Sequence, residues 1–456
     1  MKKQGSLNRL ETDSVGKSFA RYLIPSTIGM LLMAINVVAD GIMVGNRLGS
    51  VALGGVGIAS PVYTLFVAVS LWIGVGAATR YSTLMGAKRT DEARTVFSLA
   101  LATIAAVTLL IGLVAFPFRT ELAYLLGANE ETYPYVADYL YLILLFGFVF
   151  TIENTLSVMV RNDGSPNLSM MALVTTSVLN IILNYVFLYI LDYGVSGAAA
   201  ATLISAFVGT FVLLIHFFKK DNNLRFVKFT FDRKLLIIII VIGFPSFLAE
   251  VGMSVFTLAH NNVFERLAGT EGVSAFAILN YVHGVMLMAF LGMGSAIQPL
   301  VSYYNGSRNK ERMRKTVRLA NVTVFIAGAA FFLFGQFFSS YIVSIFGDFP
   351  ESVVELAIPG IRLFFIAYLF MGINFVMMTY YQSTGKIRMA VWITAAREII
   401  LLLILLSILP VAFGVTGAWL AIPVSEFIVL MTIFYYQKKR NGIAHNHLNP
   451  PIAEER

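Results

Sequence analysis

The chain has 456 residues, 58% of them hydrophobic and 13% charged, with a net charge of +8 and no cysteine. An ordinary soluble domain is roughly 25% charged, so a water-soluble globule is excluded, and the positive balance reads as membrane topology rather than nucleic-acid binding. The absent thiols exclude a disulfide framework, thiol catalysis and thiolate metal sites.

Apolar runs close to the roughly 20 residues that cross a bilayer recur along the whole chain. They do not alternate as the strands of a membrane β-barrel do, so the fold class is an all-α polytopic membrane protein. Residues 1–17 are polar, with no apolar core or cleavage site, and are expected to be a cytoplasmic segment without a signal peptide. Twelve spans follow, at 18–42, 51–79, 95–117, 133–160, 167–191, 195–218, 235–262, 272–301, 316–340, 352–382, 388–411 and 415–437. Residues 219–234 form a basic cytoplasmic linker and 438–456 a cytoplasmic tail.

Lys and Arg in short loops are retained on the cytoplasmic side. With the N-terminus there, that side receives five before the first span, four after the second and one (Arg161) after the fourth. It receives six more in the linker, six after the eighth span, two after the tenth and four in the tail. The 28 residues on this side face three on the other (Arg47, Arg119, Arg266), and two (Arg362, Arg397) lie inside spans. Both termini are thus expected in the cytoplasm.

The chain also repeats itself. Pro25 is matched by Pro245, Gly49 by Gly269 and Gly194 by Gly414, each at an offset of 220, with Gly86 against Gly306 and Gly164 against Gly385 at or close to it. Six spans per unit give parallel halves related by a pseudo-two-fold axis along the membrane normal. That makes an N-lobe of 18–218 and a C-lobe of 235–437 with a cavity between them, the arrangement that suits alternating access.

These features carry a resemblance. The first-span sequence PSTIGMLLMAINVVADGIMVG, the second-span opening LGSVALGGVGIASP and the loop RNDGSPNLSM resemble the multidrug and toxic compound extrusion (MATE) family, and within it the bacterial DinF-like branch. The resemblance covers roughly residues 15–440 and implies a two-lobed bundle that exports amphipathic, often cationic compounds.

Ionisable groups inside a bilayer are costly and are retained where they face a cavity or a partner. Asp40 lies late in the first span, with Asn36 one turn earlier on the same face. Asn180 and Asn184 share a face of the fifth span, with Asn154 in the fourth and Thr202 in the sixth. Amides donate to an ionised carboxylate and accept from a protonated one. In the MATE family a first-span aspartate and fifth-span polar groups form a proton-linked site, and the resemblance places Asp40, Asn180 and Asn184 there. Some relatives carry an acid where this chain has Asn184.

The repeat sets His260 at the position equivalent to Asp40. Glu250 resembles the acid of sodium-coupled members, but the tenth span supplies no second acid, so protons are preferred to sodium. Met33 and Met286 are candidates for a soft, adaptable drug surface, with Asn36, Asn154 and Thr202 in the cavity. Glu153, His283, Arg362, Arg397, Glu398 and Glu426 either line the cavity or tie helices together, Pro25 offers a bending point, and His445 and His447 have a weak metal-like spacing. No phosphate-binding loop or catalytic motif stands out, so an ion gradient drives transport and no cofactor beyond the coupling ion is expected. The expectation is a monomeric proton-coupled multidrug antiporter with Asp40 as the protonation switch. A sodium-coupled exporter, a lipid-linked glycan flippase and a polytopic membrane enzyme are the alternatives.

Overall fold

A computed structural model describes residues 7, 9–228 and 231–448, with side chains through Lys439. Lys2, Lys3, Arg440, His445, His447 and Arg456 lie outside the described side chains. Among the described residues there is no strand. Nine spans are long and apolar enough to cross a membrane when the bent pair Tyr133–Phe146 and Phe148–Asn162 is taken as one. Three of them hold two crossings each: Val15–Gly86 breaks at Gly49, Arg233–Gly306 at Ala268 and Gly269, and the last at Gly414. Twelve crossings result, as the hydropathy predicts.

The repeat is written in the backbone. Gly49 and Gly269, Gly164 and Gly385, and Gly194 and Gly414 all take positive φ where the chain leaves one helix for the next, and so do Lys88 and Arg308. Glycine adopts that conformation without the Cβ clash that other residues meet. Helical dihedrals continue through Pro25, and the only non-helical residue of Val15–Gly86 is Gly49. The bending point that Pro25 offers is thus not a break in the helix in this conformation.

The halves meet through glycines. A Cβ on Gly86 would lie 2.1 Å from the carbonyl oxygen of Tyr303, and one on Gly306 would lie 1.9 Å from that of Thr83. Because 83 and 303 are repeat mates like 86 and 306, the contact is reciprocal about the pseudo-two-fold axis. Nearer mid-span, Gly76 abuts the Ile239 carbonyl and Gly243 the Trp72 carbonyl at similarly short range. The Trp72 indole donates to the Ile240 carbonyl at 2.7 Å. Asn162 donates to Gln298 at 2.9 Å, and Gln298 to Thr79 at 2.9 Å. These contacts lie toward the face where the described chain begins, hereafter the terminal face, so the two halves are closed together there.

The N-terminal segment adds to that closure. Leu7 and Leu10 are buried in the core of the second half. Tyr304 donates to the Leu10 carbonyl and Tyr303 to Glu11, each at 3.0 Å, while Arg312 donates to the carbonyls of Glu11 and Asp13. Arg21 donates to Asp13 at 2.5 Å and holds that carboxyl below its ordinary range. The segment preceding the first span is thereby pinned to the opposite half.

The linker packs on the first half. Asp163, fully buried, accepts hydrogen bonds from the Tyr81 hydroxyl, the backbone amides of Asn223 and Leu224 and the Asn223 side chain, and lies 2.8 Å from His216. Val227 donates to Ser98, and Phe226 packs on Phe97 with ring centroids 5.0 Å apart.

Candidate functional site

The first, fifth and sixth spans enclose a polar chain around Asp40. Asn184 donates from Nδ2 to Asp40 Oδ1 at 2.5 Å and also approaches Asn180 Oδ1 at 3.1 Å. Asn36 donates to Asn180 Oδ1 at 2.7 Å and to the Ser177 carbonyl at 3.3 Å, and Asn180 donates to Thr202 at 3.2 Å. The i, i+4 spacings of Asn36 with Asp40 and of Asn180 with Asn184 bring all four onto facing stripes of two helices. Asp40 has no ion pair with a Lys, Arg or His among the described residues, and Asn184 Oδ1 is buried without a donor. That oxygen is an acceptor into which a protonated Asp40 carboxyl can donate.

Asn154 stands apart from this network. Its amide donates to Ser70 at 2.9 Å and faces the central cleft, while its neighbour Glu153 turns away and accepts a hydrogen bond from Thr176. Consecutive helical residues point about 100° apart, so the two adjacent polar groups serve different surfaces.

The cleft between the halves has a volume of about 140 Å³. Met33 and Met30 line it, as do Glu250 and Arg161. Its walls are repeat mates: Met30 faces it with Glu250, Leu71 with Leu291, and Arg161 with Gln382. The pseudo-two-fold axis therefore passes through the cleft, and each half contributes one charge of opposite sign. Arg161 is not the loop residue expected from hydropathy but is buried in the helix Phe148–Asn162. Its pairing with Gln382 across the repeat is the signal that would have found it.

Met286 is placed otherwise than expected. It packs against the core of the second half, whereas Met288 and Leu291 of the same helix line the cleft. The cleft-facing residues 288, 291, 295 and 298 follow helical periodicity, and 286 falls on another face.

His260 is also core. It is 1% exposed, its Nδ1 donates to the Phe256 carbonyl at 2.9 Å, and it stacks on Phe276 with centroids 5.0 Å apart. The repeat mate of Asp40 therefore stands among aromatic rings instead of in an amide network. His283 lies 3.1 Å from the Tyr368 hydroxyl.

The second half has its own buried polar group. Arg397 donates from Nε to Glu426 and from Nη2 to Glu398, each at 3.0 Å, and stacks over Phe375 at 3.9 Å. Asn374 donates to Glu426 at 2.7 Å. Asn374 and Arg397 are the mates, at an offset of 221, of Glu153 and Thr176. The same helix positions thus hold buried polar clusters in both halves, with the acid on a different helix in each. Arg397 and Glu398 occupy a wide turn, Ala396–Ile400, a local irregularity frequent at functional positions. Arg362 is exposed and ties the tenth span to the ninth through Ser339 at 2.9 Å.

A protein-family model, MatE, matches residues 25–186 and 245–409, one segment in each half. The chain belongs to the MatE family. Curated relatives of this MatE protein include the multidrug export protein MepA of Staphylococcus haemolyticus (strain JCSC1435), 27% identical over 444 residues, with 97% of each chain covered. MepA of Staphylococcus aureus (strain MRSA252) is 26% identical over 445 residues, covering 96% of this chain and 97% of the relative. Among solved structures, an outward-facing multidrug resistance MATE family transporter of the MOP superfamily superposes with a TM-score of 0.90 at 25% identity, covering 96% of this chain and 98% of that one. A MOP superfamily transporter from Pyrococcus furiosus superposes at 0.89 with the same identity and coverage. The two-lobed, twelve-helix fold is that of MATE transporters, and the protein is a multi-pass membrane protein of a multidrug efflux family.

Proposed function

We propose that the protein is a proton-coupled multidrug antiporter of the bacterial inner membrane, with both termini cytoplasmic and Asp40 as the protonation switch. The observation that carries this reading is the Asp40 network: one carboxylate, no cationic partner among the described residues, and amides that serve either charge state. When Asp40 is ionised, Asn184 donates to it; when a proton binds Oδ, the carboxyl donates to the open Asn184 oxygen, and the amide chain to Asn180, Asn36 and Thr202 reorganises.

Asp40 does not line the central cleft, whereas Met30 and Met33 of the same helix do. Proton and drug therefore communicate through the first helix rather than by exchange at one atom. The cleft's Met-rich wall suits bulky apolar compounds, and Glu250 suits a positive charge on them. A glycan flippase needs a strongly cationic cavity for pyrophosphate, and this cleft offers one guanidinium opposed by one carboxylate. The charged pairs of the second half are engaged with one another, which supports transport rather than membrane enzymology.

The test is purified protein in liposomes loaded with a fluorescent cationic dye, with a pH or a sodium gradient imposed separately. Wild type moves dye against its gradient with the pH gradient alone, and Asp40→Asn retains its fold and loses that movement. Dye export driven only by sodium, or Asp40→Asn pumping at the wild-type rate, would sink the reading.

A further inference from the structure

On the terminal face of the second half, the ninth, tenth and last helices border an open groove of about 870 Å³. Three cations stand at its rim: Arg314 and Arg318, both exposed, and Lys386, whose ammonium lies 5.4 Å from the Tyr380 ring centre and 5.6 Å from that of Tyr381. Among the described residues no Asp or Glu lines the groove. Below the rim its wall is apolar. Val322 and Phe325, 49% and 51% exposed, continue the face of the ninth helix that carries Arg314 and Arg318. From Arg314 to Phe325 that face descends roughly 16 Å at 1.5 Å per residue.

The repeat shows what such a groove holds. In the first half the mates of Arg314, Arg318 and Lys386 are Arg94, Ser98 and Ser165, and all three are engaged by the linker. Arg94 donates to the Asn223 carbonyl at 3.3 Å, Ser98 accepts from the Val227 amide at 3.0 Å, and Ser165 accepts from Lys219 at 3.4 Å. The first half thus fills this position with its own chain. In the second half the final helix continues as helix to Leu448 and does not fold back across the groove as the linker does. There, two of the three mates are cations where the first half has serines.

We infer that this groove is a binding site for one anionic phospholipid of the leaflet at the terminal face, its phosphate held by Arg314, Arg318 and Lys386 and one acyl chain lying along Val322 and Phe325. Basic pockets between spans hold anionic headgroups in this way. A soluble anion would use only the rim, a zwitterionic lipid gains little from three cations, and a second copy of the chain would bring the same positive charges against them.

The experiment is native mass spectrometry of the full chain in detergent, titrated with phosphatidylglycerol or with phosphatidylcholine of the same acyl chains. Wild type is expected to retain one phosphatidylglycerol in preference to phosphatidylcholine. R318Q, a change at an exposed position, weakens retention roughly fivefold, and R314Q/R318Q/K386Q by about a hundredfold, each cation contributing a similar factor. R308Q/K310Q/K439Q removes equal charge from the same face outside the groove and retains the lipid. Equal retention of the two lipids by wild type, or equal losses in the two triple variants, overturns the inference. So does displacement of the lipid by an equal concentration of glycerol 3-phosphate, which marks a soluble-anion site. Binding gained only when the chain is cut after Gln437 overturns it in favour of the tail as occupant, and a dimer that the groove variant dissociates does so in favour of a second copy.

Discussion

Gly306→Ala tests how the halves are held together. The added methyl would lie 1.9 Å from the Thr83 carbonyl oxygen, 2.8 Å from its carbon and 3.0 Å from Thr83 Cα. All three are backbone atoms, so no side chain can rotate away, and the second and eighth spans must separate by at least about 1 Å. Overpacking of this kind costs about 1–3 kcal/mol. The cost exists only while the terminal face is closed, so it acts as a differential between conformations and shifts their ratio roughly 5- to 150-fold toward the state in which that face is open. Because the natural chain has no cysteine, A87C/S307C introduces the only two thiols, at repeat-related turns on either side of the contact. Spin labels there, read by double electron–electron resonance in lipid nanodiscs, should show a short distance in the otherwise wild-type background and a dominant longer one with Gly306→Ala. Gly86→Ala, which meets the Tyr303 carbonyl at 2.1 Å, should do the same. A folded Gly306→Ala protein with an unchanged distance distribution would refute the reasoning, because the methyl would then have been accommodated without separating the halves.

Two further perturbations probe the buried polar groups. Asp163→Ala strips the acceptor from two linker amides and from Tyr81, and each unsatisfied buried donor costs about 1–3 kcal/mol; the melting temperature should fall, and limited proteolysis should cut near 222–228, which wild type resists. Arg397→Leu leaves Glu398 and Glu426 buried without their counter-ion, a loss of about 3–5 kcal/mol. Thermal unfolding should recover most of that loss in R397L/E398Q/E426Q, and failure to recover would show that Arg397 acts through its packing on Phe375 instead.

Legibility in the sequence followed the physics of each signal. The repeat at 220 reappears as matched positive-φ glycines and as matched cleft walls, because duplicated helices placed about an axis put equivalent residues on equivalent surfaces. Asn36, Asp40, Asn180 and Asn184 could be grouped because i, i+4 spacing fixes a shared face within a helix. Asn154, grouped in the sequence with Asn180 and Asn184 and placed in the cavity, faces the cleft but meets Ser70 instead of Asn180: that choice depends on which way the fourth helix is rotated, and an apolar span carries little amphipathic signal to report that rotation. Arg161 was misplaced for a related reason, since one charge at the end of an apolar run reads as the start of a loop even where a polar cleft reaches down to it.

Composition and order along the chain were therefore enough for the number of crossings, the duplication, the parallel relation of the halves and the short roster of charges within the membrane, since these depend on transfer free energies and on local helical periodicity. The partners of those charges were decided only by tertiary structure. Asp40 meets Asn184 across 144 positions of sequence, His260 is enclosed by rings where its repeat mate meets amides, and the halves close through glycines whose role appears only when two backbones touch. Pairings of this kind depend on helix rotation and on interhelical distances of an ångström or so, and no window of hydropathy resolves either.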